Sequence, residues 1–182
     1  MFKKFISFLW ETFKIVVLAL IIVVPIRYFL FQPFIVRGDS MIPNFENSDY
    51  LLIDELSFRI RPPQRGETVV FMPPNHNSFP YIKRIIGLPG ETIKIAESKV
   101  IIIKNGENLI LDESEYLPET SKTTGQVEVV LKENEYFVLG DNREFSSDSR
   151  IFGIVPFANI TGRVFFRAWP LNRISMIEIP KY

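Results

Sequence analysis

Ser40, in the run R-G-D-S-M-I-P at residues 37–43, and Lys83, in Y-I-K-R-I-I-G-L-P-G-E at residues 81–91, are side chains whose types could together perform nucleophilic chemistry. A serine in a glycine-led turn is an ordinary turn residue unless a base can take its proton. Imidazole is the usual base, and His76 is the single histidine. It lies in P-P-N-H-N-S, a composition that reads as a solvated loop and not as a positioned base. G-D-S-M-I also departs from the G-x-S-x-G nucleophile elbow, because Ile42 stands where the second glycine would be.

Lysine is the remaining base. Strand alternation puts Lys83 on one face with Tyr81 and Ile85, and Arg84 on the other. A free lysine with a pKa of about 10.4 is only about 0.04% neutral at pH 7 and is useless as a base. Burial that lowers the value to about 8 requires roughly 3 kcal/mol of desolvation, which a folded domain can supply. The third polar feature is G-D-N-R-E-F-S-S-D-S-R at residues 140–150, set between apolar segments. Charges buried there must be paired, and Asp148 with Arg150 or Arg84 is the natural pair. Ser146 can hold the orientation of a neutral lysine.

These residues need a scaffold. The chain has 182 residues, 47% of them hydrophobic, enough for one domain with appendages. Lysine plus arginine (21) balances aspartate plus glutamate (21), so no net field favours nucleic acid. With no cysteine and one histidine, zinc sites lack their usual ligands. Residues 13–31 form an apolar run about 28 Å long as a helix, close to the hydrocarbon thickness. Lys14 and Arg27 flank it, Trp10 and Tyr28 suit the interfaces, and no small-residue cleavage site follows, so it reads as an uncleaved anchor. Lys3, Lys4 and Lys14 place residues 1–12 as a cytoplasmic tail and the folded part outside.

Beyond the anchor, short β-rich runs at 33–36, 50–54, 68–72, 81–86, 92–95 and 100–104 alternate with Pro, Gly and Asn clusters. Asn105-Gly106 signals a type I′ hairpin over 100–111, while the polar, acidic residues 112–125 read as an exposed loop. Strands follow at 126–131, 136–139 and 162–167, with no soluble helix beyond a turn near 156–159. The expected fold is mainly β.

In order along the chain, G-D-S-M-I-P, R-G-E-T-V-V-F, Y-I-K-R-I-I-G-L-P-G-E and G-D-N-R-E-F-S-S-D-S-R resemble the motifs of the type I signal peptidases. These are membrane-anchored Ser/Lys proteases of bacteria that remove signal peptides from exported proteins. The resemblance implies Ser40 as nucleophile and Lys83 as general base, with Ser146 orienting the lysine and Asp148, Arg150 and Arg84 bracing the site. It implies an antiparallel β catalytic core over 32–92 and 136–182, with a β-rich cap inserted at 93–135. The substrate would add as an extended strand between 34–36 and 81–83, with Phe34, Val36, Phe45, Tyr81 and Ile82 forming shallow pockets for small residues one and three before the cut. No metal or cofactor is implied. The implied partners are preprotein signal peptides, the lipid bilayer of the bacterial cytoplasmic membrane and the export machinery.

The chain departs from the family pattern at Asn44, where Thr is usual, and at Glu67 and Glu91, where Asp is common. At Gly38 some members carry a serine that assists the oxyanion hole, so a side-chain donor is missing there. Two other readings compete. A self-cleaving Ser/Lys repressor-type domain shares the dyad but has no use for the apolar run. An inactive membrane-tethered β-domain that binds export or envelope partners has no reason to bury a lysine beside a serine.

Overall fold

The computed structural model describes the backbone of residues 2–29, 31–74 and 79–182, and the side chains of all of these except residues 2, 3, 22–29 and 31. His76 lies outside the described residues. In chain order the elements are α1 (Phe2–Phe29), β1 (Phe31–Ile35), β2 (Tyr50–Asp54), α2 (Ser57–Ile60), β3 (Thr68–Phe71), β4 (Tyr81–Gly87), β5 (Thr92–Ala96), β6 (Lys99–Lys104), β7 (Glu107–Ile110) and β8 (Val127–Val130). They continue with β9 (Glu135–Leu139), α3 (Ser149–Phe152), β10 (Val155–Pro156), β11 (Ile160–Trp169) and β12 (Ser175–Met176).

The architecture is mainly β, in two antiparallel sheets. The larger runs β1-β2-β11-β3-β4-β9-β10, with β12 also paired to β11; the smaller runs β7-β6-β5-β8. Every described strand pair is antiparallel, which suits runs joined by short turns. In β4 every residue after Tyr81 is buried, because the strand lies inside the sheet with both faces covered. Ile85 packs with Val69, Phe71 and Val138. Ile82 packs with Val36, Met41 and Phe45. Ile86 joins Ile93, Ile102 and Leu131, so the smaller sheet shares a core with the larger one.

The hairpin at Asn105-Gly106 forms with φ of 53° and 83°, the double positive φ that a type I′ turn demands. A second two-residue hairpin at Glu97 and Ser98, φ 51° and 62°, joins β5 to β6 without any glycine. Residues 112–125 are not the exposed loop that their polarity suggests. Tyr116, Leu117 and Thr123 are buried, because this segment covers the loop at 140–150.

Helix α1 starts at Phe2, so most of the stretch expected as a tail is helical. Its described apolar side chains, among them Phe5, Phe8, Trp10, Phe13 and Leu18, are exposed. Among the described residues no helix is long and apolar enough to cross a membrane. The run expected as an anchor, residues 13–31, continues past Ile21 into residues whose side chains are not described.

Candidate active site

The turn that follows β1 delivers Ser40, and β4 delivers Lys83. Lys83 Nζ donates to Ser40 Oγ at 2.6 Å and to the Ile82 carbonyl at 2.9 Å, and lies 5.4 Å from the Tyr81 ring centroid. Lys83 is only 3% exposed. Burial lowers its pKa from 10.5 to about 8, against the opposing pull of the Asp148 and Asp141 carboxylates. A lysine held near 8 is partly neutral in the physiological range, so its lone pair can take a proton from the hydroxyl it touches.

The serine turn is fixed from several sides. Gly38 has φ +84°, which favours glycine, and its N–H donates to Asn47 Oδ1 at 3.0 Å. Met41 and Phe45, with 0% and 1% exposure, pin the turn into the core. From the loop at 140–150, the Asn142 N–H donates to the Ser40 carbonyl at 3.1 Å and Asn142 Nδ2 to the Asp39 carbonyl at 3.0 Å. Gly140 lies under this contact. A Cβ there would stand 2.1 Å from Ser146 Oγ and 2.5 Å from the Ser40 carbonyl oxygen, so no larger residue fits without displacing the serine backbone.

Asp148 pairs with Arg150, not with Arg84. Arg150 Nε and Nη2 each donate to it at 2.8 Å, and the Gly140 N–H adds a third donor at 3.0 Å. Arg84 turns to the other face of β4 and takes Asp141, through Nε at 2.8 Å and Nη2 at 2.6 Å. Ser146 is buried, but its Oγ makes no hydrogen bond, so the expected contact with Lys83 is not formed.

Several residues of this cluster were not singled out from the sequence: Asp141, Asn142, Arg143, Glu113 and Tyr116. Arg143 Nε donates to the Gly140 carbonyl at 3.0 Å, while its Nη atoms donate to Glu113 at 2.6 and 2.5 Å and to Thr123 Oγ1. The signal for Asp141 and Arg143 was present, since charges bracketed by apolar runs require partners. Nothing local marked Glu113 as one of those partners.

Ser40 and Lys83 stand at a groove of about 630 Å³ whose lining includes Phe34, Ile35, Arg37, Tyr81 and Ile82. Val36 and Phe45 do not line it; both are 1% exposed and belong to the core. The division follows from alternation, since Val36 points inward after Ile35 points out. Two strand edges face the groove without a described strand partner. One is the outer edge of β1, which pairs only with β2. The other is the start of β4, where residues 81–83 pair with β3 while pairing to β9 begins at Arg84.

A model of the family described as signal peptidase, peptidase S26, matches residues 9–169. Relatives of similar sequence include a probable signal peptidase I-2 of Synechocystis, 37% identical over 174 residues that cover 92% of this chain and 76% of the relative. A signal peptidase I of Leptolyngbya laminosa is 36% identical over 180 residues, covering 94% and 85%. One of Bacillus caldolyticus is 35% identical over 171 residues, covering 86% and 90%. The chain belongs to the signal peptidase family, and with it to the serine endopeptidases.

Proposed function

We propose that this chain is a membrane-bound endopeptidase that removes N-terminal signal peptides from exported preproteins, with Ser40 as nucleophile and Lys83 as general base. The observation that carries the reading is the 2.6 Å contact between Ser40 Oγ and a buried Lys83 Nζ. Neutral Lys83 takes the Ser40 proton as Oγ attacks the scissile carbonyl carbon. The tetrahedral intermediate collapses to an ester on Ser40, and the protonated lysine gives its proton to the leaving amine. Water, deprotonated by the same lysine, then attacks the ester and restores the hydroxyl.

The Ser40 backbone N–H supplies an oxyanion donor, since Gly38 offers no hydroxyl; a donor of this kind is worth about 2.7–4 kcal/mol in serine hydrolases. Asp148, Arg150 and Arg84 brace the site in this reading, and Ser146, whose Oγ makes no hydrogen bond in the structure, orients the lysine once substrate is bound. The open edges of β1 and of residues 81–83 suit an extended peptide added as a strand. Phe34, Tyr81 and Ile82 give its small side chains shallow apolar contacts.

Residues 32–92 and 136–182 form the catalytic core in this reading, with 93–135 as the inserted cap. Residues 13–31 anchor the chain in the bacterial cytoplasmic membrane, with the amino terminus inside and the core on the outer face. The exposed apolar residues of α1, and Trp169, Leu171, Ile174 and Met176 on the core, support a lipid-facing surface. Cleavage of a preprotein in detergent tests the assignment. Ser40→Ala and Lys83→Ala each abolish turnover while keeping the wild-type circular dichroism, and near-wild-type turnover by either variant would refute the dyad. An inactive binding domain would show no cleavage by the wild type at all.

A further inference from the structure

Most of the groove lining is apolar or small and polar. Lys83 and Arg37 are its two charged residues, and no carboxylate lines it among the described residues. Lys83 is committed to Ser40. Arg37 is exposed and makes no ion pair or hydrogen bond with any described residue. A cation held open in a groove that takes peptide bears on which peptides fit.

Exposure places Arg37 on the open side of the turn. Val36 is buried in the core, whereas Arg37, the next residue, is exposed and lines the groove three residues before Ser40. An extended substrate alternates its side chains between two faces. If its residues one and three before the cut face the groove wall, the residue between them projects outward, to the side on which Arg37 stands. Resting on the function proposed above, we infer that Arg37 is a specificity-determining residue. Its guanidinium reads the residue two before the cut, favouring an acidic side chain there and disfavouring a basic one. Guanidinium and carboxylate can pair through two hydrogen bonds, but an exposed pair is screened and modest. The expected discrimination is therefore about fivefold between acidic and basic substrates, and it shrinks with salt over the Debye length.

Three peptides differing only in Glu, Gln or Lys two residues before the cut test this, with kcat/KM measured for the full chain in detergent. The wild type prefers Glu over Gln over Lys at low ionic strength, Arg37→Gln flattens the order and Arg37→Glu reverses it. Because the ratios are read within each enzyme, a general loss of activity in a variant does not obscure them. Cleavage of all three peptides with the same Glu-to-Lys ratio in the wild type and in Arg37→Glu overturns this inference alone. No cleavage of any peptide by the wild type overturns the peptidase reading, and this inference with it.

Discussion

Arg84 and Asp141 meet through two hydrogen bonds, 2.8 and 2.6 Å, on the face of β4 opposite Lys83, with 3% and 1% exposure. One strand thus carries a buried ion pair on one side and, on the other, a buried amine hydrogen-bonded to a hydroxyl and a carbonyl but paired with no carboxylate. Removing one member of the ion pair strands a charge in the interior. Asp141→Ala is expected to lower stability by about 3–5 kcal/mol, whereas Arg84→Met with Asp141→Leu loses less than the sum of the single changes. Urea denaturation measures this, and a loss below about 1 kcal/mol for Asp141→Ala would show that the pair is not desolvated as described.

The other side of β4 has a pH signature. Lys83 has a pKa of about 8 in the folded chain against an ordinary 10.5. Between those values the unfolded chain binds more protons, so wild-type stability rises with pH through the window and falls as pH drops through it. Lys83→Met removes this dependence. Its stability relative to the wild type is expected to be about 2–3 kcal/mol more favourable near pH 6 than near pH 10. Parallel stability curves for the two proteins would count against a desolvated lysine.

Gly140 is constrained by space and not by backbone conformation. A methyl group there meets the Ser40 carbonyl oxygen at 2.5 Å, and that oxygen belongs to the turn that presents the nucleophile. Gly140→Ala is expected to lower kcat by about 100-fold or more, because a shift on the order of 1 Å at the reacting atom is enough. Its melting temperature should change far less than its turnover. Activity within about threefold of wild type would mean that the loop at 140–150 does not set the position of Ser40.

Most of the strands and the Asn105-Gly106 hairpin were readable from local sequence, because alternation and turn chemistry are local signals, whereas β10 and β12 were not, and the pairing of Ser40 with Lys83 was expected only from the resemblance of four ordered motifs to a known family. The Glu97-Ser98 hairpin was not, since neither residue favours positive φ strongly enough to announce a turn. Residues 112–125 look solvated by composition, yet Glu113, Tyr116 and Thr123 face Arg143 from 30, 27 and 20 residues away in sequence. Val36 and Phe45 show the same limit from the apolar side. Proximity to Ser40 in sequence suggested substrate contact, and packing sends both into the core.

The claim on which the rest depends is that Lys83 acts as a neutral base, and the pH dependence of kcat/KM for a preprotein-derived peptide measures it most directly. Activity is expected to rise with pH through a single ionisation near 8, the value burial gives the lysine. A profile that climbs only above about pH 10, where an ordinary solvated lysine loses its proton, would contradict it.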